Sequence, residues 1–244
     1  MCSNYRAVTN VDLLASFFGI VRDPGATPPE FNPEIWPLGL APIIRLDENG
    51  RRRVEAGNFG LVPHWKKELV YGRRTYNARS ETVATLPSFR DAWKRSQRCI
   101  VPAEIIYEPC YESGKAVRHA ILREDELPMG VAGIWVDHPT LKRENGEAVL
   151  SFAMLTVSGA GHPIFQRMHG VEDEKRMVVI LNPEDYDAWL TSSPEEAKDF
   201  FKQWSGALKD CPKPLAPRKK KSTPDVSAKT KPDAGDELFP PVVE

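Results

Sequence analysis

The stretch Arg98-Cys-Ile-Val-Pro-Ala-Glu-Ile-Ile-Tyr-Glu108 combines a strand-like apolar pattern with a terminal acidic residue. Its apolar groups at 99–101 and 105–107 are rich in β-branched and aromatic residues, which favour extended strands. An acid beside such neighbours can have a raised pKa and can then act as an acid or a base. We therefore predict a strand-like run that ends on Glu108. A plain surface acid at a strand end is the alternative that the pattern leaves open.

Similar β-rich runs recur on both sides of this stretch. They lie at 59–62, 119–122, 130–136, 151–157 and 177–181, with turn-like segments at 112–115 and 144–147. Helical patterns are fewer, and they lie at 10–18, 81–84 with 88–96, 183–190 and 194–202. The segments 23–37 and 71–77 are predicted to be loops. Strands with few intervening helices favour the α+β class over a doubly wound sheet.

The composition is that of an ordinary soluble protein. The chain has 244 residues, of which 41% are hydrophobic and 27% are charged. Its length allows one or two domains. No apolar run approaches the roughly 18 residues of a membrane span. The N-terminus lacks the pattern of a secretory signal. We therefore expect a cytoplasmic protein, associated with the nucleoid if the source is bacterial, that has no membrane partner.

The net charge of −1 conceals a division of the chain. Residues 212–244 contain 7 of the 22 prolines and carry a net charge of +2, whereas the rest carries −3. Few apolar residues and many prolines predict disorder. We predict a single domain over residues 1–208 and a disordered Pro/Lys-rich tail over 209–244. The basic run 218–221 could touch phosphates, but a solubilising tail is the interpretation that we favour.

The four cysteines lie at positions 2, 99, 110 and 211 and form no CxxC pair. A zinc ribbon or a disulfide framework is therefore not indicated, and a reducing compartment fits. Cys2 differs from the others, because trimming of Met1 would give it a free α-amine beside its thiol. An α-amine has a pKa of about 7.7 and is partly neutral at physiological pH, and a thiol is a strong nucleophile. Such a residue can capture an aldehyde as a thiazolidine or attack an amide. The alternative is that Met1 stays and the position is accidental.

Three further positions offer chemistry. Asn77-Ala-Arg-Ser-Glu81 follows a loop and is predicted to open a helix, with an amide at Asn77 and a phosphate-binding guanidinium at Arg79. An N-cap with an exposed Arg–Glu pair is the alternative. His169 lies in a loop and suits proton transfer, or is simply exposed. The histidine spacing does not indicate a metal site, and we expect no cofactor.

A set of motifs in one order resembles the SRAP family, the SOS-response-associated peptidases, also called abasic site processing proteins. The motifs are Met1-Cys2 with Tyr5, Asn58-Phe-Gly-Leu-Val-Pro-His-Trp65, Asn77-Ala-Arg-Ser-Glu-Thr82, Phe89-Arg90, Arg98-Cys-Ile-Val-Pro-Ala103, Tyr107-Glu108, Gly133-Ile-Trp135, and His169 leading to Arg176-Met-Val-Val-Ile-Leu181. The resemblance spans about residues 1–208. It implies a single α+β domain of mostly antiparallel, curved, barrel-like sheets flanked by helices.

The resemblance also implies a function in the DNA-damage (SOS) response. SRAP proteins bind single-stranded DNA that carries an abasic site, and their N-terminal cysteine forms a thiazolidine crosslink with the opened sugar. Carried over, Cys2 is the nucleophile, and Asn77 positions the amine or the sugar. Glu108 exchanges protons with the amine and helps to reverse the crosslink, and His169 protonates the sugar oxygen. The implied DNA contacts are Arg79, Trp65, Arg90 and Arg176. We expect a monomer.

The chain departs from the family pattern at three places. Ser3 and Asn4 replace the usual Gly and Arg, which removes a charge near the DNA and places a side chain where glycine would allow positive φ freely. Pro109 follows Glu108 where the family often has Trp. Six residues separate His169 from Arg176, more than in the compact form of the motif.

Three function classes follow from these observations. The first is an abasic-site sensor that crosslinks itself to DNA, with strand cleavage by β-elimination and autoproteolysis as associated activities. The second is an N-terminal-nucleophile cysteine peptidase, in which Cys2 attacks an amide such as the Met1–Cys2 bond. The third is a non-catalytic DNA-binding module whose tail recruits a partner.

Overall fold

The computed structural model describes residues 2–21 and 30–215, which form β-strands with a few short helices. The strands are β1 (Asn4–Ala7), β2 (Glu34–Ile35), β3 (Leu40–Leu46), β4 (Arg52–Phe59), β5 (Asn77–Arg79), β6 (Arg98–Cys110), β7 (Val117–Arg123), β8 (Met129–Lys142), β9 (Ala148–Ser158), β10 (Arg176–Val178), β11 (Ile180–Leu181) and β12 (Leu208–Pro212). The α-helices are α1 (Val11–Phe18), α2 (Arg90–Lys94) and α3 (Tyr186–Thr191). Short 3-10 turns cover Leu69–Arg74, Phe165–Arg167, Pro183–Asp185 and Glu196–Phe200.

Five strands close into a barrel. The hydrogen-bonded order β8–β9–β4–β3–β6 returns to its start because β6 also pairs with β8. Most pairings are antiparallel, and β4 and β5 each run parallel to β9. Buried apolar side chains line the strands of the barrel, among them Ile43, Phe59, Ile100, Ile134 and Phe152. The predicted α+β, barrel-like fold with flanking helices is confirmed.

Strand β6 carries the barrel wall into the candidate site. Its first half, Arg98 to Ala103, pairs with β8, and its second half pairs with β1 and β7. The strand-like run predicted at 98–108 is thus one continuous strand. In the register with β1, Asn4 lies opposite Tyr107. Because the two strands are antiparallel, the residues before Asn4 run alongside the residues after Tyr107, which brings Cys2 toward Glu108.

The first predicted helix is confirmed, whereas two local predictions are corrected. Helix α1 begins after Asn10, whose side chain accepts a hydrogen bond from Leu13 N at 2.9 Å. The segment predicted to open a helix at Asn77 instead forms β5, because it pairs with β9. The strand predicted over 59–62 ends at Phe59, since Gly60 turns the chain with φ of 127°. A Cβ on Gly60 would lie 2.3 Å from the Gly72 carbonyl oxygen, so only glycine fits there.

Strand β12 crosses the predicted domain boundary at residue 208. It pairs with β7 from Leu208 to Pro212, and the compact unit runs to Pro214. The rest of the predicted tail, from residue 216, lies outside the described residues, as do residues 22–29 of the predicted loop region. Within the described ranges, no helix has both the length and the apolar character needed to traverse a bilayer.

Candidate active site

Cys2 lies two residues before β1 and is only 1% exposed. Its Sγ donates to the carbonyl oxygen of Asn4 at 3.5 Å. Asn4 is itself buried, and its side chain donates to Ile35 O at 3.0 Å and accepts from Arg118 Nε at 3.0 Å. A guanidinium therefore still lies beside position 4, supplied by β7. Ser3 is not among the described residues with positive φ, so serine fits the backbone beside Cys2.

Asn77, the first residue of β5, fixes the backbone of Cys2 by a hydrogen bond. Its side-chain amide donates to the Cys2 carbonyl oxygen at 2.7 Å. Its own carbonyl oxygen, Oδ1, is buried and has no hydrogen-bond partner among the described residues. A buried acceptor normally has a donor, so this oxygen is a candidate acceptor for a further group at the site. A ligand hydroxyl or an α-amine on Cys2 would be such a group.

Glu108 and His169 form a buried acid–imidazole pair. Glu108 is 2% exposed and His169 is 6% exposed, so neither is the surface group that the sequence left as an alternative. His169 Nε2 lies 3.6 Å from Glu108 Oε2. The backbone brings them together, because His169 N donates to the carbonyl oxygen of Pro109 at 2.7 Å. Pro109 cannot donate a backbone hydrogen bond, but its carbonyl serves as the anchor.

Burial sets the protonation states of this pair. It raises the pKa of Glu108 to about 7. It lowers the pKa of His169 to about 4. Burial, followed by the nearby Glu108 carboxylate, also raises the pKa of the Cys2 thiol. At neutral pH, the imidazole and the thiol are therefore uncharged, and Glu108 is the group that can either hold or release a proton.

Tyr76 is a site residue that sequence reasoning missed. Its pKa is raised by burial first and then by electrostatic interaction with Cys2 and Glu108. The ring packs edge-on against Phe59, with centroids 5.6 Å apart. The signal that could have indicated it is its position directly before Asn77. Its hydroxyl adds a hydrogen-bonding group to the wall of the site.

Arg79 of β5 and Arg176 of β10 occupy different environments. Arg79 is exposed on the same face of β5 as Asn77, and its Nη1 pairs with Glu174 at 2.9 Å. Arg176 is 2% exposed, and its terminal nitrogens donate to Glu81, Glu174 and the Thr156 carbonyl. Arg176 therefore lies in the interior and holds Glu174 next to Arg79, rather than presenting its own charge to solvent.

Trp65 belongs to an exposed aromatic and basic surface. It is 45% exposed and packs edge-on against Tyr71, with centroids 5.6 Å apart. Lys66 Nζ lies 5.0 Å from the centroid of each ring. A cavity of about 410 Å³ beside these rings is lined by Lys66, Lys67, Glu68, Val70, Tyr71, Arg73 and Arg74. We call these residues with Trp65 the basic face.

The four cations of the basic face form no ion pair with any described residue, in contrast to most arginines of the barrel. Aromatic rings with unpaired cations are the combination that single-stranded nucleic acids bind. The sequence indicated only a loop over 71–77, and the charge run Lys66-Lys67 followed by Arg73-Arg74 was the available signal.

The remaining residues singled out in the sequence are Arg90 and the other three cysteines. Arg90 begins α2, is exposed, and lies 3.6 Å from the Asp91 carboxylate. Cys99 and Cys110 are buried, and Cys211 is exposed. Within the described part of the chain, no three His, Cys, Asp or Glu side chains are grouped so that they could hold a metal ion.

Two curated proteins that are similar to this chain carry the same kind of name. The protein "Abasic site processing protein YobE" of Bacillus subtilis is 27% identical over 196 residues, which cover 78% of this chain and 82% of that protein. "Abasic site processing protein YoqW" of the same species is 30% identical over 112 residues, 44% of this chain and 47% of that protein.

Solved structures share the fold. A crystal structure of a protein from Bordetella bronchiseptica is 33% identical with a TM-score of 0.78, and the match covers 88% of this chain and 100% of the other. A protein from Bacteroides thetaiotaomicron has the same fold at 23% identity and a TM-score of 0.70, over 86% of this chain and 90% of that one. The family described as SOS response associated peptidase (SRAP) matches residues 1–212. The chain therefore belongs to the SRAP family.

Proposed function

We propose that the protein captures abasic sites in single-stranded DNA covalently, through Cys2 after removal of Met1. The observation that carries the proposal is that Asn77 bonds Cys2 and His169 lies against Glu108, while the Glu108 carboxylate acts on the pKa of the Cys2 thiol. The curated relatives named abasic site processing proteins support DNA that carries such lesions as the partner. We further propose that it acts as a monomer in the cytoplasm, at the nucleoid in a bacterium.

The capture takes place in two steps. The neutral α-amine of Cys2 adds to the aldehyde of the ring-opened abasic sugar, and loss of one water gives an imine. The Cys2 sulfur then adds to the imine carbon while its proton passes to the nitrogen, which closes a five-membered thiazolidine. Both steps need proton transfers but no metal or redox partner, because atoms and electrons balance between the amine, the thiol and the aldehyde.

The proton transfers are assigned to Glu108 and His169. With a pKa of about 7, Glu108 can protonate the leaving hydroxyl and afterwards take up a proton. We assign to His169 the protonation of the sugar oxygen during ring opening, with Glu108, 3.6 Å from its Nε2, as the group that restores its proton. Asn77 Oδ1 accepts a hydrogen bond from the new α-amine or from a sugar hydroxyl. For reversal, Glu108 would protonate the thiazolidine sulfur as the C–S bond breaks, and one water would then hydrolyse the imine to the free amine and the aldehyde.

The DNA strand is proposed to cross the basic face on its way to Cys2. Trp65 and Tyr71 offer rings for base stacking, and Lys66, Arg73 and Arg74 offer charges for phosphates. Arg79 is a phosphate contact once Glu174 releases it. Arg176 supports Arg79 through Glu174, and Arg90 is a more distant phosphate contact on α2.

A cysteine peptidase remains the second candidate, because the family to which the chain belongs is described as a peptidase. A cysteine peptidase needs a thiolate stabilised by an imidazolium. In this site the thiol pKa is raised and the imidazole pKa is lowered, so that ion pair is disfavoured. The electrostatics therefore favour amine-first capture over amide hydrolysis. Strand cleavage by β-elimination would start from the same imine.

Intact-mass spectrometry tests the proposal. Mature protein should lack Met1, and incubation with an abasic oligonucleotide should give an adduct equal to the two masses minus one water. Retained Met1, or the absence of an adduct with Met1 removed, would contradict capture. Borohydride should trap an imine with Cys2→Ser, whose amine is intact but whose hydroxyl does not form a stable five-membered ring product.

A further inference from the structure

The side chains of Lys175 and Asp173 hold the loop of residues 170–175, between His169 and β10, by hydrogen bonds to nearby backbone groups. Lys175 Nζ donates to three consecutive backbone carbonyl oxygens: those of Met168 at 3.0 Å, His169 at 3.2 Å and Gly170 at 2.5 Å. Asp173 Oδ2 accepts from Gly170 N at 2.9 Å. These contacts give the loop a defined structure around the backbone of His169.

The backbone of His169 needs such support. Its φ is 65°, in the left-handed region that side-chain-bearing residues adopt at a cost. Three carbonyl dipoles that converge on one point also repel one another, and a cation between them removes this repulsion. The next residue is restricted as well, since a Cβ on Gly170 would lie 2.8 Å from Asp173 Oδ2.

We propose that Lys175 is a positioning residue for His169: its ammonium holds the backbone of Met168–Gly170 in the conformation that turns the imidazole toward Glu108. The inference rests on the proposed function only for the role of His169 in capture. The placement of His169 by Lys175 is a property of the free protein. This proposal gives a structural role to the six residues that separate His169 from Arg176.

The charged groups around the imidazole come from several elements. Glu108 of β6 lies 3.6 Å from Nε2, and the backbone of Arg176 on β10 forms a hydrogen bond with the ring. Within the loop, the charge of Lys175 lowers the pKa of His169 and that of Asp173 raises it. Removal of Met1 would add the α-amine of Cys2. Loss of the Lys175 charge, together with greater exposure of the ring, should therefore raise the pKa of His169.

The test uses the full-length protein with isotopically labelled histidines. The chain has five histidines, and His169→Gln identifies the signal of His169 in the NMR spectrum. In Lys175→Met, the pKa of His169 should rise by roughly one unit, since a neighbouring like charge is lost. Lys175→Arg, which keeps the charge and several donors, should restore the wild-type value. The control is Lys198→Met, the same change at an exposed lysine outside the site, and it should have no effect.

Crosslinking kinetics on an abasic oligonucleotide supply the second measurement. Lys175→Met should lower the maximal rate by roughly tenfold or more, because small displacements of reacting groups are costly, while the half-saturating DNA concentration stays unchanged. An unchanged His169 pKa in Lys175→Met would overturn the inference, whatever happens to the rate. A raised pKa with an unchanged rate would show that Lys175 acts on His169 through its charge alone, and would overturn the positioning role. If Lys175→Met does not fold, Lys175→Gln carries the same test, because it keeps a donor and lacks the charge.

Discussion

Asn77 donates its side-chain amide to the backbone carbonyl of Cys2 across 2.7 Å. The two residues are 75 positions apart in the chain. Asn77 is held by the parallel pairing of β5 with β9, and Cys2 is held by the pairing of β1 with β6. The hydrogen bond therefore joins β5 to the segment that precedes β1, and it fixes the carbonyl group of Cys2.

Replacing Asn77 with alanine should slow crosslinking by roughly 10- to 100-fold, because it removes the anchor of Cys2 and the unpaired Oδ1 that we assign to the amine or the sugar. Single-turnover gel assays with an abasic oligonucleotide measure the rate. Asn145→Ala, in the exposed β8–β9 hairpin, is the matched control and should react at the wild-type rate. Equal rates for both variants would argue against the assigned role.

Replacing Glu108 with glutamine should stabilise the fold at neutral and alkaline pH while it impairs capture. The folded-state pKa of about 7 lies above the usual value near 4.5, so the folded protein binds the extra proton between these limits. The free energy of unfolding that Glu108 contributes therefore falls as pH rises from 4.5 to about 7. At pH 8, Glu108→Gln should be more stable than wild type by on the order of 2 kcal/mol.

The contribution of His169 to stability depends on pH in the opposite direction. Its pKa of about 4 lies below the usual 6.5, so the unfolded chain binds the extra proton between pH 4 and 6.5 and stability rises with pH there. In wild type, the falling contribution of Glu108 and the rising contribution of His169 to the free energy of unfolding oppose each other up to pH 6.5. Urea unfolding across pH 4–9 should therefore show Glu108→Gln with stability that rises through the acidic range. A stability difference from wild type that is independent of pH would contradict the buried, proton-binding state of Glu108.

Replacing Glu174 with glutamine should strengthen DNA binding about two- to fivefold at low salt, since it frees the Arg79 guanidinium from its ion pair. Fluorescence anisotropy with a single-stranded oligonucleotide that lacks an abasic site measures the affinity without the covalent step. Glu172→Gln makes the same charge change at an exposed neighbour. If both variants gain affinity equally, the effect is general electrostatics and Glu174 does not control Arg79.

Replacing Arg73 and Arg74 together with glutamine should weaken single-stranded DNA binding and reduce its salt dependence. If each contacts one phosphate, the slope of log affinity against log salt should become shallower by about 1.4. The matched control is Lys198→Gln with Lys202→Gln, two exposed lysines away from the basic face. A salt-dependence slope that changes equally in the two double variants would contradict the proposal that the basic face binds the DNA.

The sequence predicts the parts of the site that depend on local pattern. The β-branched run before Glu108 predicts its strand, and burial of Ile106 on that strand goes with the burial of Glu108. The position of Cys2 in the chain indicates its chemistry without any structure. The order of motifs indicates that Asn77 and His169 belong with them, and the structure pairs Asn77 with Cys2 and His169 with Glu108.

Other features depend on partners that are distant in the chain. Asn77-Ala-Arg has no β-branched residue, and it becomes a strand only because β9 offers unpaired backbone groups beside it. Arg176 is suited to a phosphate by its chemistry, but Glu81, 95 positions away, binds it in the interior. The contacts of Lys175 with three carbonyls occur together with a left-handed backbone at His169, which no residue pattern predicts.

The most direct test of covalent capture is a denaturing gel of full-length protein incubated with a single-stranded oligonucleotide that contains one abasic site. Wild type and Cys211→Ala, which removes the exposed cysteine, should both give a heat-stable band of slower mobility, and Cys2→Ala should give none. A band of wild-type intensity with Cys2→Ala, or no band with wild type whose Met1 has been removed, would contradict the assignment of Cys2 as the group that captures the abasic sugar.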